Sequence, residues 1–425
     1  MKRLLAYGTL LGIPLGVLLL AFTLLRAPAA TGNGIASGGG ITNPPIVLAG
    51  MDPVDVKPLP QYLNSSLEWL AEAQFENGGW GAGSHTRQGI DDPHAVQIDP
   101  ATTAFAALAL MRSGSTTESG PYSRNVSRAL NYLVDLVEEY QADGPRITDI
   151  EGTQPQVKLG RNVDASMVSQ FFTGILPSLD GRLKGRTEAA LDKLLLKIQR
   201  SQTADGSWSD GGWAPVLQSA MANQALEGAA RVGREIDEDV LERSRDYQEG
   251  NVQMRPGVAG ASMDASAGAG VALYAASSSQ RATAEDARKA QDAVGENEPV
   301  TVDALRQAGQ SREEAEELYD AYRRNDATND MLEGEEIWSG FGNNGGEEFL
   351  SYMMTSEAKV ITGGDSWDRW HARLVNLFGS IQNENGSWSG HHCITSPVFC
   401  TAAVILALTA DRDHSLHSNN NHHHH

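Results

Sequence analysis

Three seven-residue segments constrain this chain more than any other feature. QFENGGW (Gln74 to Trp80), QTADGSW (Gln202 to Trp208) and QNENGSW (Gln382 to Trp388) share one spacing: Gln, three residues, Gly, one residue, Trp. Each follows apolar residues at helical spacing, namely Leu63, Leu67, Leu70 and Ala71, then Leu191, Leu194, Leu195 and Ile198, then Trp370, Leu374, Leu377 and Ile381. The motif therefore sits where a helix ends. Its Asn-Gly or Asp-Gly step supplies the positive φ that a helix stop and turn require.

After each turn comes a helix of another character, built from small and apolar residues: DPATTAFAALALM from Asp99, PVLQSAMANQALEGAA from Pro215 and SPVFCTAAVILALTA from Ser396. A helix without a polar side must be covered all round, whereas the preceding helices keep a solvated stripe. The unit is thus an outer amphipathic helix followed by an inner buried one. Weaker copies fill the gaps. Arg124 to Gln141 precedes an inner segment from Asp164, Glu238 to Gln248 precedes one from Asp264, and another starts at Gly346. Inner segments near residues 99, 164, 215, 264, 347 and 396 make about six hairpins. The expected fold is all-α: an α/α toroid over residues 61–411, with inner and outer helix rings.

These residues resemble the terpenoid cyclase and protein prenyltransferase toroids, whose recurring Gln and Trp (QW) repeat matches the three motifs. The resemblance extends to proteins described only as prenyltransferase and squalene oxidase repeat proteins of an exported branch. It implies the fold more than an activity. The cyclase Asp-x-Asp-Asp acid motif is absent, as is an Asp-Asp-x-x-Asp pattern for magnesium diphosphate. Cyclase cavities are lined with aromatics, yet only 6% of this chain is aromatic. Trp80, Trp208 and Trp388 are expected to pack between hairpins with Gln74, Gln202 and Gln382. Phe105, Phe171, Phe172, Tyr274, Phe349, Tyr352 and Phe399 are the aromatics available to an apolar lumen.

If the inner helices run parallel, their amino termini gather at one mouth. Asp99, Asp164 and Asp264 open three of them, and Glu347 and Glu348 a fourth. Such acids are good N-caps, each worth about 1 kcal/mol. A ring of them also has the ingredients of acid–base chemistry or cation binding. The only two cysteines, Cys393 and Cys400, follow His391 and His392. A disulfide is one reading. A zinc site from His391, His392 and Cys393 is the other, since the ligand types suit zinc. The family's prenyltransferases hold zinc through Asp, Cys and His, but their Asp-x-Cys spacing is missing, so no ligand is carried over.

The net charge of −21 opposes phosphate backbones and excludes a nucleic-acid partner. Arg281 to Glu336 holds 16 acidic and 7 basic residues and reads as an exposed helical insertion, at about 281–336, ahead of the fifth inner helix.

Residues 1–30 read as a signal peptide or an uncleaved membrane anchor. Lys2 and Arg3 precede an apolar run over 4–25, a single N-terminal helix, which ends at Arg26 and Ala-Pro-Ala-Ala. Either form places the body outside the cytoplasm, in the periplasm or cell envelope, with a membrane contact if the segment stays. Residues 31–60 read as a flexible tether, and 412–425 as a disordered, polar, His-rich tail.

Two functions fit these residues. One is a binding or scaffold module for an apolar small molecule or an envelope protein. The other is a cyclase- or transferase-like enzyme on an isoprenoid, or a carbohydrate-active one, with Asp99, Asp164, Asp264 and Glu347 at the mouth.

Overall fold

The computed structural model describes residues 56–417, except 210, 255–260, 296, 341 and 343. The chain divides into Met1–Ile41 and Thr42–His425, and the first unit lies wholly outside the described residues. So do the apolar run 4–25 and most of the tether. Among the described residues no helix is long and apolar enough to cross a membrane.

Helices dominate. The outer series is α1 (Leu63–Glu72), α3 (Ser123–Glu139), α6 (Gly181–Arg200), α8 (Glu238–Gly250), α11 (Arg312–Glu333) and α14 (Asp365–Ile381). The inner series is α2 (Pro100–Arg112), α5 (Val163–Ile175), α7 (Pro215–Arg231), α9 (Ala272–Val294), α13 (Gly346–Thr362) and α15 (Pro397–Leu408). Short helices α4 (Gln154–Leu159), α10 (Val302–Gln307) and α12 (Glu335–Trp338) lie in connections, and β1 (Val252–Met254) pairs antiparallel with β2 (Ala261–Met263).

The two series differ as their sequences require. Every residue of α2 and of α15 is buried. In α3 burial falls on Val126, Ala129, Leu130, Leu133, Val134 and Val137, one stripe at a spacing of three and four. The inner helices touch in the cyclic order α2, α5, α7, α9, α13, α15 and back to α2. Phe105 and Phe399 stack across the closing step with centroids 5.0 Å apart.

The repeated turns are built alike. Each Trp indole donates to the carbonyl ten residues earlier: Trp80 to Leu70 at 2.8 Å, Trp208 to Ile198 at 2.8 Å and Trp388 to Phe378 at 3.0 Å. Each Gln amide donates to the carbonyl of its motif Gly-containing turn and also to another outer helix. Gln74 reaches Asn125 (3.0 Å), Gln202 reaches Val240 (2.8 Å) and Gln382 reaches Tyr62 (3.2 Å) and Ser66 (2.9 Å). The last pair joins the final hairpin to the first and closes the ring. Gly206 shows why the turn needs glycine: φ is +84°, and an added Cβ would lie 2.1 Å from the Arg243 carbonyl oxygen.

Two segments depart from their sequence reading. Arg281 to Glu336 is no exposed insertion: Arg281, Ala282, Thr283 and Ala284 are buried in α9, and α11 packs on α9 as the fifth outer helix. Its acidity belongs to the solvent side of a regular hairpin. The segment from Arg412 to Leu416 is likewise not a disordered tail. Residues Ala410–Arg412 and His414–Leu416 form two short 3₁₀ turns in which Asp411, Arg412, His414 and Leu416 are buried. Residues 418–425 lie outside the described residues.

Candidate functional site

The ring has two chemically different ends. At the end where the inner helices begin, Asp99 caps α2. Its Oδ1 accepts the Thr102 amide (2.8 Å), and its Oδ2 accepts the Ala82 amide (2.8 Å) and the Thr102 hydroxyl (3.0 Å). Asp164, in the first turn of α5, accepts the Ala101 amide (3.1 Å) and the Gln156 side chain (2.7 Å). Both side chains are fully buried. Burial pushes Asp99 up to about 6; burial and the neighbouring Asp99 charge push Asp164 up to about 7.

Glu347 and Glu348 open α13 and are also fully buried. Glu347 accepts the Ile394 amide (3.2 Å), and burial, then Glu348, push it up to about 7. Glu348 accepts the Tyr274 hydroxyl (2.9 Å) and faces His392 Nε2 at 3.7 Å. Asp264 does not join them. It is exposed between β2 and the start of α9, and hydrogen bonds from the Ser266 hydroxyl and then the Ser266 amide hold its carboxylate below the usual range. The fourth inner helix begins at Ala272, after a 3₁₀ turn, so the expected start at Asp264 is early by one loop.

A small helix that the repeat pattern does not contain lies across this end. In α4, Gln154 accepts the Thr395 (2.7 Å) and Ser396 (3.1 Å) amides at the start of α15. Gln156 holds Asp164, and Lys158 sits beside Glu347 and Cys393. Its signal was present in the sequence: Thr153 and Gln156 make a capping box with a proline in the first turn.

The cysteines are unbridged. The buried Cys400 thiol points at the Ile394 carbonyl (3.5 Å), while Cys393 has a left-handed backbone (φ +61°) and lies beside Glu347 and Lys158. Burial pushes Cys393 up to about 11, away from thiolate chemistry. Among the described residues no three His, Cys, Asp or Glu side chains converge to hold a metal. His391 faces Asn344 (3.2 Å) and His392 faces Glu348. The zinc reading of His391, His392 and Cys393 therefore has no ligand geometry behind it.

At the other end, where α2, α5 and α7 finish, a cavity of about 700 Å³ opens into the lumen. None of the seven inner-segment aromatics lines it. Phe105 packs on Phe399 between neighbouring inner helices, while Phe349 packs on Phe378 of outer α14 and Tyr352 on Trp338 of α12. The wall is instead an ion-pair network. Arg112 Nη2 contacts Glu357 (3.0 Å) and Asp413 (2.5 Å); Arg281 contacts Glu357 (3.3 Å) and Glu227 (3.1 Å); Arg231 pairs with Glu227 and Glu285. Burial opposes the charge on Asp413, but Arg112 outweighs it and holds the carboxyl below its usual range. Burial of Glu285 is likewise outweighed by Arg231 and Arg281, which bring it to about 2.

Residues that line this space also carry buried polar atoms without partners: Arg112 Nε and Nη1, Thr173 Oγ1, both amide atoms of Gln224, and His414 Nε2. The repeat reading passed over Arg112, Glu227, Arg281 and Glu357. Arg112 is the one charge in α2 and Glu227 shares α7 only with Arg231, a signal the sequence offered, whereas Arg281 and Glu357 sit among the other charges of α9 and α13.

Residues 41–147 match the family described as the squalene-hopene cyclase C-terminal domain. The matched region contains α1, α2 and α3, the first repeat hairpin and the outer helix to which its Gln is bonded. Over that part of the chain, the match supports the resemblance to the terpenoid cyclase and prenyltransferase repeat superfamily. A comparison with curated proteins gives no match. Asp99, Asp164, Glu347 and Glu348, singled out as helix-start acids, lie at the covered end, and Asp264 does not. The accessible, chemically diverse surface lies at the opposite one.

Proposed function

We propose that this toroid is a binding module that holds a ligand in its lumen, entering from the end where α2, α5 and α7 finish. One observation carries the reading. The cavity of about 700 Å³ is lined by residues whose buried polar atoms the protein leaves without partners, whereas Asp99 and Asp164 are engaged by amides, a hydroxyl and Gln156. Buried polar groups are normally satisfied, and a wall of unsatisfied ones suits a binding surface. The volume lies within the ~300–1,000 Å³ of small-molecule sites.

The apolar occupant expected from sequence is revised by this wall, since leucines and methionine share it with arginines and amides. In the same proposal, the leader over residues 1–30 carries the module out of the cytoplasm. The segment 31–60 tethers it at the envelope, where a protein segment is a further class of occupant.

Catalysis at the mouth is the second reading. The pair of Asp99 near 6 and Asp164 near 7 favours it, because such values suit proton transfer near neutrality. Full burial of both, beneath α4, argues against substrate access.

Native purification with mass-spectrometric analysis of extracted small molecules tests the first reading. A ligand lost in Gln224→Leu and retained in Asp164→Asn is the expected result. A ligand or product lost in Asp164→Asn with Gln224→Leu unaffected would transfer the function to the mouth.

A further inference from the structure

We infer that the lumen takes an anionic amphiphile, its carboxylate on Arg112 and its hydrocarbon chain along Leu108, Met111, Ile175 and Leu176. This rests on the lumen reading above and names the ligand class.

The head group follows from charge and donors. On a chain of net charge −21, the cavity wall carries five cationic side chains (Arg112, Lys184, Arg231, Arg281, Arg412) against three acidic ones (Glu188, Glu357, Asp413). Glu227 and Glu285 stand behind the wall and offset Arg231 and Arg281. The surface facing the space is thus cationic while the whole network stays near neutral, and this matches one negative charge better than two. Arg112 is 8% exposed, and only its Nη2 is used, by Glu357 and Asp413. Its Nε and Nη1 have no acceptor. Thr173 and Gln224, each 6% exposed, add a hydroxyl and an amide that bond nothing else in the protein. Carboxylates are what this arginine already selects: Asp413, brought by the C-terminal segment, is an internal example of the class.

The tail follows from the remaining wall. Leu108 and Met111 lie one turn apart on α2, while Ile175 and Leu176 end α5 across the cavity. A flexible apolar chain fills such a mixed wall with dispersion contacts that a compact sugar or nucleotide would not make.

The test is calorimetric titration of the purified protein with three probes of equal chain length: dodecanoate, dodecyl phosphate and dodecanol. Dodecanoate is expected to bind at least tenfold more tightly than dodecanol. Gln224→Leu removes atoms that hold nothing in the protein. It should leave the unfolding midpoint unchanged, weaken dodecanoate about tenfold and leave dodecanol unaffected. Thr173→Val should act in the same direction. Equal binding of acid and alcohol, or an undiminished Gln224→Leu variant, would overturn the carboxylate assignment. Tighter binding of dodecyl phosphate would replace it with a phosphate head group. Failure of all three probes would instead remove the lumen reading on which the inference stands.

Discussion

The two ends of this ring use acidic residues in opposite ways. At the end where the inner helices start, Asp99, Asp164 and Glu347 are buried among amides and other acids, and all three are pushed up to between about 6 and 7. At the far end Asp413 and Glu285 are partly buried, and arginines hold both below their usual range. Burial is common to the two ends and the arginines are not. A buried carboxylate is therefore a proton holder or a fixed charge according to its cationic neighbours.

Removing one partner from each end should break the symmetry most strongly. Glu357→Leu takes one of two carboxylate partners from each of the buried Arg112 and Arg281, leaves Asp413 and Glu227 in place, and is expected to lose about 3 kcal/mol in urea unfolding. Glu347→Gln removes a carboxylate that is disfavoured when ionised. At pH 8 it should be neutral or stabilising by about 1 kcal/mol. Comparable losses from both variants would show that the ends do not differ.

The pH profile sharpens the contrast next. At the mouth the folded state keeps protons that the unfolded chain has released. Unfolding free energy should therefore fall as pH rises from about 4 to about 7, by up to ~1.4 kcal/mol per pH unit for each group. Asp164→Asn should flatten that slope. The far end has the reverse sign. Its carboxylates bind fewer protons when folded, so their contribution is present above about pH 4 and is lost as pH falls toward about 2. Asp413→Asn should flatten the acid limb and leave the neutral one unchanged.

Smaller effects check the parts outside the comparison. Trp208→Phe keeps the ring in place but loses the indole bond to the Ile198 carbonyl, an expected loss of about 1–2 kcal/mol. The equivalent change at Trp80 should match it if the repeats are equivalent. Asp264→Asn, exposed and outside the cluster of buried acids, should stay within about 0.5 kcal/mol of the parent.

The hairpins were legible because their information is local. Gln, Gly and Trp within seven residues define the turn, and the apolar period on either side tells outer from inner. Even α4 left a local trace, the Thr153 and Gln156 capping box. What stayed hidden depends on partners far along the chain. Asp413 looks like part of a polar tail until Arg112, some 301 residues earlier, is placed beside it. Arg281 looks like the start of a charged insertion until Glu227 and Glu357 flank it. The mouth acids were found as helix-start residues, but their burial under α4 depends on contacts that no periodicity encodes. Asp264 fits the same pattern by composition alone, and the β1–β2 hairpin and following 3₁₀ turn move it outside.

Closure by Gln382 against Tyr62 and Ser66 also bears on how the chain matures. A ring has no intrinsic first hairpin, and the backbone amide of Lys57 already lies 2.6 Å from the Asp411 carboxylate. A linker that joins these ends while keeping Arg412 to Leu416, with the chain reopened at the exposed Gly309 turn, should give a permuted protein with the same fold. In the natural order, the apolar side of α1, with Leu63, Leu67 and Leu70, is left waiting until α15 is made. The last hairpin to be synthesised is thus the one that shields the first.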